Sequence, residues 1–222
     1  MTPDSNSTAN TNLHEQVALQ IRQMLVEGLI EPGAKLNERA LCEILKVSRT
    51  PLREAIKRLA AEGLVELLPN RGAIAVALSE QDVLDTFEVI AGLEGYSASL
   101  AVERITPDEL SEIQALHFEM MAAFTRRDLS SYYQLNASIH LSINNAARNP
   151  VLTATYKLVN ARLQALRFRS NQDEVKWGRA MKEHEQIIAA LLAKDGHAIN
   201  EVMITHLKNK CQVVIEQMRA VN

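Results

Sequence analysis

The stretch "SRTPLREAIKRLAAEGLVELLPNRGAIAV", residues 48–76, changes its period in the middle. Up to Ala61, Leu52, Ala55, Ile56 and Leu59 recur at helical spacing, while Arg49, Arg53 and Lys57 recur every four residues on a different face. Ser48 or Thr50 caps this helix, and Pro51 sits in its first turn, where a missing N–H costs little. Beyond Gly63 the pattern shortens. "LVELL" and "AIAVA" flank "PNRG", in which Pro69, Asn70 and Gly72 supply turn geometry and Arg71 stands at the tip. The stretch therefore reads as a helix followed by a hairpin.

Upstream, "LHEQVALQIRQMLVEGLI" carries Val17, Ile21, Met24 and Leu25 on one helical face and stops at Gly28 and "EPG". Asn37 caps a short second helix, "ERALCEIL", with Leu41, Ile44 and Leu45 expected inward. Three helices and a two-stranded wing over residues 13–78 make a winged helix-turn-helix.

The chain is acidic, with a net charge of -3, yet residues 39–58 hold Arg39, Lys46, Arg49, Arg53, Lys57 and Arg58 against only Glu43 and Glu54. A compact basic element on an acidic protein suits a polyanion partner, with the remaining surface keeping it soluble. The third helix fits the major groove, where Arg49 or Arg53 can make a two-pronged contact to guanine while the other holds phosphate. Ser48 and Thr50 can hydrogen-bond phosphate at the helix N-terminus. Arg71, on a thin wing, can enter the minor groove.

The 222 residues are 47% hydrophobic but only 4% aromatic, so the core rests on Leu, Ile, Val and Ala. Cys42 and Cys211 are far apart and in no metal-ligand spacing, as expected of idle thiols in a reducing compartment. "MTPDSNSTANTN" has no apolar core and no run approaches transmembrane length, so residues 1–12 are expected to be a disordered tail, the location cytoplasmic and no membrane involved.

From Ser79 onward six helical segments follow one another with no convincing strand, which predicts an antiparallel helical bundle over 79–222. The fold class is thus mainly α: a winged helix-turn-helix and an all-α bundle. Asn136 and His140, four apart, share one helix face, and His184 and His206 fall on two later helices. Imidazoles from three helices can converge on a borderline divalent metal only inside the bundle. Spacing alone does not set this set apart from ordinary core histidines, and His14, His117 and His197 are read as such.

"PGAKLNERALCEILKVSRTPLREAIKRLAAEGLVELLPNRGAIAV" resembles the DNA-binding domain of GntR-type transcriptional regulators, and residues 83–218 resemble the FCD ligand-binding domain of their FadR branch. Six helices suit its VanR-like subgroup. The resemblance implies that Arg39, Arg49 and Arg53 contact operator DNA, that Thr50 assists, and that Gly72 lets the wing approach the minor groove. Arg71 lies where the family varies. It also implies a metal (Zn, Ni or Mn) held by Asn136, His140, His184 and His206. Asn136 stands where an Asp is more frequent, so its ligand oxygen brings no charge. Glu94 is present, but Ile90 replaces a frequent Arg four residues earlier, which removes one anchor for a carboxylate effector. Arg162, Arg167 and Arg169 are the available substitutes.

These readings give a ligand-responsive, homodimeric regulator of double-stranded operator DNA whose effector is a small organic acid. Two rivals exist. A catalytic zinc centre also uses three histidines and an open position, but "HExxH" is absent and no dedicated general base is apparent, so no catalytic residue is assigned. An architectural DNA binder with an inert helical domain would ignore metal and metabolite alike.

Overall fold

The computed structural model describes residues 5–169 and 174–221, with side chains described for 13–168 and 177–220. The chain divides into two compact units, Met1–Ser79 and Glu80–Asn222. Of the residues 1–12 expected to form a disordered tail, 1–4 lie outside the described residues, and from Ser5 the backbone is helical.

The first unit runs α1 (Ser5–Glu27), β1 (Lys35–Leu36), α2 (Glu38–Leu45), α3 (Arg49–Ala61), β2 (Val65–Leu68) and β3 (Gly72–Ala75). Asn37 starts α2 as expected: its side-chain oxygen accepts from the amides of Arg39 and Ala40, a cap worth about 1 kcal/mol. Lys46, at φ 53°, ends α2 in the left-handed region. Ser48 occupies the cap position of α3, but its hydroxyl makes no capping bond.

Leu52, Ala55, Ile56 and Leu59 of α3 are all buried, packed in one cluster with Val17, Ile21 and Leu25 of α1 and Leu41 of α2. Ile44 is a correction: it is 62% exposed, and Leu45 packs against the core instead. In a helix of barely two turns, Leu41 and its i+4 neighbour fill the inward stripe, and i+3 turns to solvent.

The wing has three strands where two are expected. β1 pairs antiparallel with β3, Lys35 opposite Ile74 and Leu36 opposite Ala73, giving the order β1-β3-β2. At the tip the Arg71 amide donates to the Leu68 carbonyl, Asn70 has φ 58° and Gly72 φ 87°. The conformation at Gly72 strains any residue with a Cβ, and Arg71 is left exposed beside it.

The second unit is helical: α4 (Glu80–Arg104), α5 (Pro107–Thr125), α6 (Leu129–Ala146), α7 (Pro150–Arg169), α8 (Glu174–Leu192) and α9 (Gly196–Val221). Thr106 and Glu109 form a reciprocal capping box at α5, and Asp128 caps α6 by accepting from the Ser131 amide. α4 and α9 run antiparallel in close contact. At Gly95 an added Cβ would lie 2.9 Å from Ile204 Cγ1, so this glycine sets how near the two backbones come. Ile90, Ile139, Leu163, Ile187 and Leu207 are all fully buried in the core. Among the described residues no helix is long and apolar enough to cross a membrane.

The burial difference within the first unit is directly measurable. Leu52→Ala is expected to destabilise by about 2–5 kcal/mol, and Ile44→Ala to stay within about 0.5 kcal/mol, in denaturant unfolding of the full chain. Equal losses for the two would contradict this packing.

Candidate metal centre and basic helix

His140 on α6, His184 on α8 and His206 on α9 meet inside the bundle. One ring nitrogen from each lies within 4.8 Å of the others, and all three side chains are buried. Ring centroids are 5.2 Å apart for His140–His184, 5.4 Å for His140–His206 and 4.9 Å for His184–His206. The helices bring them together because His140, Ile139 and Ile143 belong to one buried flank of α6, as do His184, Ile187 and Ile188 on α8 and His206, Met203 and Leu207 on α9. Asn136 stands one turn before His140 and is half-buried.

Two of the rings are held from behind by carboxylates. Glu94 of α4 hydrogen-bonds His140 Nδ1. Glu183 Oε2 lies 2.8 Å from His206 Nδ1, and Asn209 Nδ2 donates to Glu183 Oε1 at 2.7 Å. An acceptor on Nδ1 fixes the tautomer and turns the Nε2 lone pair the other way, as around metal-bound imidazoles. Among the described residues, His140 Nε2 and both nitrogens of His184 have no hydrogen-bond partner.

Protonation agrees with this arrangement. Burial pushes His184 well below the usual imidazole range, and the neighbouring His206 and His140 push the same way. Burial also lowers His206, with Glu183 opposing. For Glu94, burial favours the neutral acid, but His140 and then the Arg167 guanidinium outweigh it and hold the carboxyl below its ordinary value. Three convergent imidazoles, two of them biased to the neutral form, fit a borderline divalent ion. Orphaned buried donors and acceptors of this kind cost about 1–3 kcal/mol each unless something occupies them.

The surrounding polar groups are less visible in the sequence. Arg167 of α7 is buried, its Nη1 donating to Asn160 Oδ1 at 2.6 Å and its Nη2 3.7 Å from Glu94 Oε1. Its guanidinium lies 5.9 Å from the centre of the Phe87 ring. Lys210 lies one turn beyond His206 on α9, and burial, then Arg167, bring its ammonium down to about 7. Of the three candidate substitute arginines, Arg167 is in the site, Arg162 is exposed, and the side chain of Arg169 lies outside the described residues. Glu183 is expected to point away from its neighbour His184. It does, and that turn along the helix is what brings it to His206.

In the first unit Arg39, Arg49, Thr50, Arg53 and Arg71 are all exposed. Arg53 Nε is 3.0 Å from Glu38 Oε2, yet its side chain is 59% exposed. Arg39 pairs with Glu43 at 3.2 Å and is 84% exposed. Exposed pairs of this sort contribute about 0–1 kcal/mol and yield readily to a phosphate. Arg58 differs, holding Glu15 of α1 at 2.8 Å and Glu62 at 3.4 Å, so it braces the unit.

The chain matches the domain described as bacterial regulatory proteins, gntR family, over residues 13–74 and the FCD domain over residues 85–209. It is 25% identical over 222 residues to the HTH-type transcriptional repressor RspR of Escherichia coli, covering 100% of this chain and 97% of the relative. It is 30% identical over 209 residues to the HTH-type transcriptional regulator LutR of Bacillus subtilis, covering 84% and 94%. Among solved structures, Escherichia coli McbR/YncC shares the fold with a TM-score of 0.84 at 23% identity, over 93% of this chain and 98% of that one.

The outer carboxylates give a test. Glu183→Gln is expected to weaken metal affinity about 10–100-fold, and His140→Ala with His206→Ala to abolish stoichiometric metal, both read by elemental analysis after dialysis against a competing chelator. Full metal retention in the double variant would remove the assignment.

Proposed function

The chain belongs to the GntR family of bacterial regulatory proteins, in the branch that carries an FCD domain, and from that premise we propose how its residues divide the work. It is a DNA-binding transcriptional regulator with an effector-binding domain, and not an enzyme. Arg49 and Arg53 read base edges or hold phosphate from α3, with Arg39 and Thr50 on the flanking backbone. Arg71 enters the minor groove, and Gly72 allows the wing its close approach. The exposure of these side chains supports the reading, as does the Ser48 hydroxyl left without a capping bond at the N-terminus of α3. A regulator that acts on operator DNA works in the cytoplasm.

The observation that carries the effector half is the convergence of three buried imidazoles, of which His140 Nε2 and both His184 nitrogens have no hydrogen-bond partner among the described residues. His140, His184 and His206 hold a divalent ion (zinc, nickel or manganese), with the Asn136 oxygen or a water beside them. When bound, the ion supplies an open Lewis-acid position for one carboxylate of a small organic acid. Glu94 and Glu183 orient the rings, the apolar core excludes bulk water, and the buried Arg167 takes the anchoring role that Ile90 cannot. The effector shifts operator affinity only if it binds two arrangements of the regulator unequally. In a homodimer, the spacing of two winged units over two half-sites is the quantity it changes.

The DNA half is tested on a duplex selected from a random pool by the purified protein. Arg49→Ala or Arg53→Ala is expected to cost about 1–3 kcal/mol and to relax sequence preference if the residue reads a base. If it holds phosphate, all sequences weaken alike and the salt dependence flattens. Fluorescence anisotropy across a salt series separates the two, and unchanged affinity in both variants would contradict the proposal. The effector half is tested by stripping metal with a chelator: metabolite-responsive operator binding is expected to disappear and to return on adding back one metal per chain.

A further inference from the structure

We propose that Lys35, on the first strand of the wing, is a further DNA contact: its ammonium holds a backbone phosphate beside the groove that Arg71 enters. This rests on the reading of α3 and the wing as the DNA-binding face and adds one residue to it.

The third strand of the wing leads there. β1 is two residues long, and neighbours on a strand point to opposite faces of the sheet. Leu36 is 3% exposed and belongs to the core of the unit, so Lys35 faces outward and is exposed. Lys35 stands opposite Ile74 of β3, and Ile74 stands opposite Glu66 of β2. Gly72, two residues before Ile74 and at the tip end of β3, shares that outer face. The lysine leans towards it: Cε lies 3.8 Å from the place a Cβ on Gly72 would take. The apolar stem therefore runs along the sheet towards the tip and carries the ammonium to the flank of the turn that presents Arg71.

That charge is not spent inside the protein. Arg39, Arg53, Lys57 and Arg58 each hold a carboxylate. Among the described residues, the side chains of Lys35, Arg49 and Arg71 have no ion pair or hydrogen bond. Glu66, the acid in the same row, is two strands away from Lys35, about 10 Å at ladder spacing and too far to pair. β1 is also an edge strand, in the order β1-β3-β2, so Lys35 occupies the side of the wing while Arg71 occupies its end. A minor groove is about 6 Å wide and walled by two phosphate backbones. A tip inside it brings the side of the wing against one wall. A compact ammonium with three donors suits a phosphate oxygen there, as a point charge that positions the wing without reading sequence. A lysine on an edge strand also discourages pairing with another chain, and the test separates the two roles.

That test is fluorescence anisotropy of the full chain on the duplex selected from the random pool, across a salt series. Lys35→Gln and Lys35→Arg are compared with Arg49→Ala and Arg53→Ala. Lys35→Gln is expected to weaken every duplex alike, about fivefold near physiological salt, and to flatten the slope of log affinity against log salt by about 0.9, the share of one phosphate. Lys35→Arg should keep both at the wild-type level. Wild-type affinity and slope in Lys35→Gln would leave edge protection as the role of this lysine and overturn the inference. A loss of affinity with an unchanged slope, or one that Lys35→Arg also shows, would overturn it too. If Arg49→Ala and Arg53→Ala both bind as wild type, the reading of α3 as the DNA-binding face fails, and this inference fails with it. If either arginine variant weakens binding while Lys35→Gln does not, only the assignment of Lys35 fails.

Discussion

The centre of the second unit depends on keeping three imidazoles buried with one ring nitrogen from each within 4.8 Å of the others. An apolar bundle has no reason to do this. His184 is fully buried and, among the described residues, finds no hydrogen-bond partner for either nitrogen. Each such orphan works against a folded state only about 5–15 kcal/mol below the unfolded one. The arrangement is sustained by what stands behind the rings, Glu94 on His140 and Glu183 on His206. Those carboxylates tie α4 to α6 and α8 to α9, so the polar centre also fixes the register of the helices around it. Ligation of the proposed ion would turn this structural cost into binding energy and so link metal content to stability.

The first unit solves a simpler problem by dividing one helix into two faces. Leu52, Ala55, Ile56 and Leu59 anchor α3 to its neighbours, and Arg49, Arg53 and Lys57 are left exposed to solvent. The acidic partners of Arg53 and Arg39 do not bury them. They hold the side chains loosely, at little energetic cost to exchange. Arg58, tied to both α1 and Glu62, shows the other use of a guanidinium on the same helix. Local charge density alone cannot separate these two roles, because the distinction lies in which acidic residues a distant segment brings near.

That limit describes what the sequence reveals and what it hides. The helices are legible in the sequence, most sharply where period and caps agree: Asn37, Thr106 with Pro107, and Asp128 all stand where helices begin. β1 is not, since two residues carry no period and gain meaning only when β3 lies beside them. Ile44 misleads because a two-turn helix has room for only one inward stripe. His140, His184 and His206 are found through family resemblance, since spacing alone leaves them indistinguishable from core histidines. Their supports escape sequence reading for a physical reason. Glu94 meets a ring 46 residues away and Glu183 one 23 residues away, and only the packed bundle makes them neighbours.

X-ray absorption at the metal edge of the purified full chain addresses the central claim most directly. The account predicts a divalent first-row ion whose inner sphere shows the scattering pattern of three imidazole rings, completed by light oxygen ligands. A bound metal with no imidazole in its inner sphere would contradict it, because the unpaired nitrogens at the heart of the bundle would then serve some other purpose.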